Sequence, residues 1–141
     1  MLKNIPSIIS PDLMYVMMRM GHGDELVLAD GDFPADTFSK KVVRADGLRI
    51  ADLLKAILPF FPLDTFVDKP VAIMAPVGKD AKEPASWKGF REIISKHNRH
   101  FVDFEYIERY DFYKRAKDSF AVVATSEPDG NIILKKGVVA I

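Results

Sequence analysis

Residues 10–32 read SPDLMYVMMRMGHGDELVLADGD, and two different periods inside this stretch decide the fold class. Ser10-Pro11-Asp12 has the chemistry of a helix start: a hydroxyl to cap the first amides, a proline in the first turn and an acid near the positive end of the dipole. Leu13, Val16, Met17 and Met20 follow at the spacing of one helical face, and Gly21 is expected to end the helix as a left-handed cap. Glu25-Leu26-Val27-Leu28-Ala29 then reads as a short strand, stopped by Asp30-Gly31-Asp32, with Pro34 forbidding continuation.

The same alternation continues outward. A short strand is expected over 41–44, followed by a helix that Asp46 can cap and whose face is Ile50, Leu53, Leu54 and Ile57. The apolar run 71–75 between Pro70 and Pro76 reads as a buried strand. Pro84 opens a helix carrying Trp87, Phe90 and Ile94. The pattern then predicts a strand at 102–107, a helix at 108–119, a strand at 120–124, a turn at Pro128-Asp129-Gly130, and strand at 131–136 with Val138-Val139. Helices alternating with strands imply an α/β fold, a three-layer sandwich with helices on both faces of a parallel or mixed sheet. No repeat, linker or low-complexity tract divides the chain, so residues 1–141 are read as one domain.

Composition narrows the function. Twenty basic and twenty acidic residues cancel, which gives no electrostatic reason to expect nucleic acid or an anionic membrane as partner. No apolar run has the length of a membrane helix, the N-terminus does not resemble a signal peptide, and a cytoplasmic location is the expectation. The absence of cysteine excludes a disulfide scaffold, a thiol nucleophile and a Cys-ligated metal.

Ligands of α/β sheets gather beyond the carboxyl ends of strands, which is where Asp30 falls. His22, flanked by Gly21 and Gly23, is the histidine of most interest, because imidazole titrates near neutral pH and its neighbours leave it unshielded. A polar residue in a helix-terminating turn, complementing the dipole, is the alternative. Because a five-residue strand spans about 17 Å, His22 and Asp30 share one site in one protomer only if the chain bends or the strand is shorter; otherwise they meet across a subunit interface. His22, Asp24, Asp30 and Asp32 include metal-ligand types, but no metal spacing joins them, and no metal or other cofactor is expected. Arg109, just past a strand end, could hold sugar hydroxyls or a carboxylate, or pair with Glu105 or Glu108 on the surface. Tyr110 and Tyr113 share a helix face and are expected to fill the core. Around Pro59-Phe60-Phe61-Pro62 the phenylalanines could form a subunit contact or cap the core.

Taken in order, Ile8-Ile9-Ser10-Pro11-Asp12-Leu13, Met20-Gly21-His22-Gly23-Asp24-Glu25, Arg44-Ala45-Asp46-Gly47, Phe112-Tyr113-Lys114-Arg115-Ala116 and Gly130-Asn131-Ile132-Ile133-Leu134-Lys135-Lys136-Gly137-Val138 resemble the L-fucose mutarotase and D-ribose pyranase family over nearly the whole chain. Arg109 and the Arg-Ala-Asp-Gly segment resemble the fucose branch more closely. The resemblance implies an α/β fold, assembly into homo-oligomeric rings with sites near subunit contacts, and an isomerase that interconverts monosaccharide anomers. It implies His22 as the proton donor and Asp30, Arg109, Gly130 and Asn131 as sugar-binding residues. Two positions depart from the family pattern. Asp129 stands where a tyrosine usually precedes the Gly-Asn, and Asp32 where fucose-type members often carry histidine. Asp129 could supply a carboxylate; a tight Asp-Gly turn is the reading preferred here. The lost tyrosine also motivates the alternative of a non-catalytic monosaccharide-binding or transport-accessory protein.

Overall fold

The computed structural model describes all 141 residues. Ten elements follow in chain order: α1 (Pro11–Arg19), β1 (Glu25–Ala29), β2 (Val42–Ala45), α2 (Ile50–Ile57), β3 (Val71–Met74), α3 (Ser86–His97), β4 (Glu105–Ile107), α4 (Arg109–Asp118), β5 (Ala121–Thr125) and β6 (Ile132–Lys135). The strands form one mixed sheet in the order β2-β5-β1-β6-β3-β4. β6 runs antiparallel to both neighbours, β1 and β3, and every other pairing is parallel.

Alternation along the strands divides the core in two. Leu26 and Leu28 of β1, with Ile132 and Leu134 of β6, face a large cluster completed by α1, α2 and α3. Val27, Ala29 and Ile133 face a smaller one, covered by Phe112 and Ala116 of α4 and by Phe33 from the loop after β1. The sheet is therefore covered by helices on both faces, as the sequence pattern requires, but three helices lie on one side and one on the other.

Local chemistry explains most of the boundaries. The Ser10 hydroxyl accepts the Leu13 amide at 3.1 Å and starts α1 as expected. The helix stops at Arg19, where Met20 turns extended, and Gly21 is not a left-handed cap. Asp46 does not cap α2 either; its carboxylate is occupied by Arg44. The acceptor at that helix start is Glu127, buried, whose Oε2 takes the Ile50 amide at 3.0 Å from the loop beyond β5. Only Glu105–Ile107 of the 102–107 segment pairs as strand. Val138 and Val139 lie exposed beyond the Leu63–Lys136 bridge and extend no strand. Phe61 is buried while Phe60 is exposed, so the two phenylalanines divide between the alternatives of core and surface. No helix is long and apolar enough to cross a membrane.

Candidate active site

All strands but β6 end at one rim of the sheet, and β6 begins there. Asp30, directly after β1, receives the Gly130 amide at 3.4 Å and the Asn131 side-chain amide at 2.9 Å on Oδ2, while Oδ1 receives the Asp32 amide at 3.1 Å. Asn131 accepts the Asp30 amide in return at 2.8 Å. This double link fixes both side chains. Burial lifts the Asp30 carboxyl above the ordinary carboxylate range; the donors from Gly130, Asp32 and Asn131 offset part of that, and the charge of Asp129 adds to it.

The loop around Gly130 is tightly seated. Gly130 has φ +151°, and a Cβ there would stand 3.2 Å from the Phe90 ring. Its carrier, the β5–β6 connection, is anchored through Thr125, whose hydroxyl donates to the Ala29 carbonyl at 2.7 Å, and through Glu127, whose carbonyl accepts the Gly31 amide at 2.9 Å. Because β1 lies between β5 and β6, Asp129-Gly130 closes no hairpin. Asp129 is exposed and, with Met74, Trp87 and Asn131, lines a cavity of about 230 Å³. Ala75, Pro76 and Val77 separate that cavity from a second of about 370 Å³ bordered by Glu108, Arg109 and Tyr110.

Arg109 is on this rim as well, in the first turn of α4, which Glu108 caps by accepting the Tyr110 and Asp111 amides. Neither of the surface ion pairs weighed as the alternative for Arg109, with Glu105 or with Glu108, forms. Its Nε donates to the Tyr113 hydroxyl at 2.9 Å, and the guanidinium lies over the rings of Tyr110 and Tyr113. Tyr110 is exposed, and Tyr113 is half-buried against Phe33 and Phe38. The core positions of α4 are instead Phe112 and Ala116.

His22 lies at the other rim. β1 keeps its full five residues, paired on both sides, so within one protomer the strand separates His22 from Asp30. The imidazole is 44% exposed, and its Nε2 stands 3.0 Å from Oδ1 of Asp64, which is 4% exposed. Phe66 packs its ring at 5.1 Å from that of His22. Sequence reasoning found neither Asp64 nor Phe66: an isolated acid in Leu63-Asp64-Thr65, 42 residues from its partner, carries no local signal. The four residues weighed as metal ligands divide between the rims, and no three His, Asp or Glu side chains converge.

The model of the RbsD / FucU transport protein family matches residues 3–139. The chain belongs to that family. Among similar members of the RbsD / FucU family, the L-fucose mutarotase of Glaesserella parasuis serovar 5 (strain SH0165) is 48% identical over 140 residues, spanning 98% of this chain and 96% of that protein. The fucose mutarotase of Homo sapiens is 45% identical, spanning 99% and 96%. The crystal structure of the Streptococcus pneumoniae fucose mutarotase in complex with L-fucose superposes with a TM-score of 0.91 at 44% identity, covering 99% of this chain and all of that one.

Proposed function

We propose that the protein is a mutarotase, an isomerase that interconverts the α and β anomers of L-fucose or a closely related monosaccharide. The observation that carries this reading is the Asp30–Asn131 clamp on an open, polar rim, in a chain similar over nearly its whole length to fucose mutarotases, one of them with L-fucose bound.

Mutarotation opens a cyclic hemiacetal and recloses it on the other face of the carbonyl. Protonated His22 gives its proton to the ring oxygen as the bond from that oxygen to the anomeric carbon breaks, and the anomeric hydroxyl passes its proton to Asp30. Reclosure reverses both transfers, so no net proton is consumed. One acid and one base each contribute typically ~10²–10⁴-fold. Arg109, with its planar donor fork, and Asn131 with the Gly130 backbone hold the remaining hydroxyls. Asp129 leaves a carboxylate at the mouth of the cavity. The reaction needs no metal and no cofactor.

Because β1 holds His22 and Asp30 apart, the reading includes a homo-oligomer in which His22 of one copy meets Asp30 and Asn131 of another, in a closed head-to-tail arrangement. It also places the protein in the cytoplasm, which cell fractionation tests.

Saturation transfer between the anomeric proton signals of L-fucose, with D-ribose and D-galactose alongside, tests the activity. Transfer that appears with the wild type and vanishes in His22→Asn is the expected result. Sugar binding without transfer would replace the enzyme by a monosaccharide-binding protein.

A further inference from the structure

The indole Nε1 of Trp87 stands alone among the buried side-chain nitrogens and oxygens in having no hydrogen-bond partner within the protein. Trp87 is 1% exposed, and its N–H can only donate. A buried donor without an acceptor costs the fold the hydration it gave up on burial, and an all-carbon ring at this position would carry no such cost.

The ring itself is held firmly. It belongs to the first turn of α3, where the Trp87 amide donates to the Pro84 carbonyl at 3.1 Å. It packs edge-on against Phe104, with centroids 6.4 Å apart. Its Nε1 edge faces Gly130: a Cβ there would stand 3.5 Å from Nε1. With Met74, Lys82, Gly130 and Asn131, Trp87 lines the cavity of about 230 Å³ whose Asn131 wall is clamped to Asp30.

We infer that the Trp87 N–H is a sugar-binding donor, taken up by a hydroxyl oxygen of the bound monosaccharide. The inference rests on the mutarotase reading for the identity of the ligand.

Fixed donors are what this cavity lacks. Asp129 brings a carboxylate, which when ionised only accepts. Asn131 spends its Oδ1 on the Asp30 amide and one hydrogen of Nδ2 on Oδ2 of Asp30. The other hydrogen of Nδ2 meets only Sδ of Met74, at 3.9 Å, and a thioether is a weak acceptor. Lys82 is exposed and carries its ammonium on a flexible stem, so it fixes no orientation. A hydroxyl oxygen that replaces the sulfur as partner of Asn131 pushes the unbranched Met74 side chain aside and opens the approach to Nε1. The cavity then offers two fixed neutral donors, Nδ2 of Asn131 and Nε1 of Trp87, beside its carboxylates.

Trp87 is the only tryptophan, so the ¹H–¹⁵N spectrum of the intact protein contains one indole cross-peak. On titration with L-fucose that peak is expected to move downfield and to saturate at the concentration that calorimetry gives for binding. Trp87→Phe keeps an aromatic ring and removes the donor. It is expected to raise Kd and KM for L-fucose about three- to tenfold, the weight of one neutral hydrogen bond, with kcat within about twofold of wild type. An indole peak unmoved at saturating L-fucose overturns the inference, whether or not the variant folds. So does a folded Trp87→Phe that binds L-fucose within about 1.5-fold of wild type. Saturation transfer on the same samples keeps the two readings apart. L-fucose that binds and shifts the indole peak without anomer exchange sinks the mutarotase reading and leaves the Trp87 contact standing. A wild type that binds no L-fucose overturns both.

Discussion

His22 and Asp30 stand at opposite ends of β1, separated by the rise of five paired residues, about 17 Å at ~3.3 Å each. An acid and a carboxylate that far apart cannot act on one pyranose ring. If each site takes His22 from one copy and Asp30 from its neighbour, two inactive variants repair one another. Co-expressed His22→Asn and Asp30→Asn subunits, assembling at random, recover about a quarter of the wild-type exchange rate, because that share of sites joins two intact halves. Either variant alone stays inactive. A mixture as dead as its components would refute shared sites.

On the proposed mechanism, Asp30 sets the acid side of the pH–rate profile. Burial raises its carboxyl and Asn131 pulls it down, so the rate falls on acidification at a pH above the ordinary aspartate range. Removing the amide in Asn131→Ala moves this limb to still higher pH and raises KM. Rates of anomer exchange measured from pH 4 to 8 read both effects.

Asp30 and Asp64 respond to acid with opposite sign. Asp64 is held below its ordinary range, so its ionised form stabilises the fold above that range and the contribution disappears as pH falls through its folded value. Asp30, raised by burial, favours the folded state only while protonated and loses that contribution as pH rises. Urea titrations of Asp64→Asn against wild type therefore show a stability gap at neutral pH that closes in acid.

Arg115 joins α4 to two strands. Its Nε donates to both oxygens of Glu25 at 3.0 Å, and its Nη1 donates to Glu105 at 2.9 Å. Truncation leaves Glu25, 15% exposed, without its cation. Arg115→Ala is expected to lose about 2 kcal/mol in thermal or urea unfolding, with KM for sugar unchanged in the protein that remains folded.

Gly137→Ala should act through the backbone at the end of β6. The added methyl forces residues 63 and 64 off the end of β6, which shifts the carboxylate under His22. Exchange falls at least about tenfold while binding at the Asp30 rim is kept, as titration of the sugar against the Trp87 fluorescence would show.

What the sequence makes legible is what short range determines. Ser10 and Pro11 start α1, the alternation of 25–29 makes β1, and Glu108 and Arg109 lie where a strand gives way to a helix. Asp46 was a reasonable cap by spacing, yet Arg44 two residues away takes its carboxylate and Glu127, 77 residues on, serves α2. Tyr113 shows the same limit: its period says core, but Arg109 and Phe38 hold it at the boundary. Of the segments that carry the family resemblance, Phe112-Tyr113-Lys114-Arg115-Ala116 packs and clamps a helix, whereas Gly130-Asn131 shapes the rim. Asp64 escaped because its role exists only once β6 brings residues 22 and 64 together.

β6 touches both rims, Asn131 entering it at one end and Lys136 leaving it at the other. It thereby works as a gauge. Inserting or deleting one residue there would invert which side chains face each layer and displace one rim relative to the other. This four-residue strand can therefore vary in side chain but not in count without moving one rim against the other.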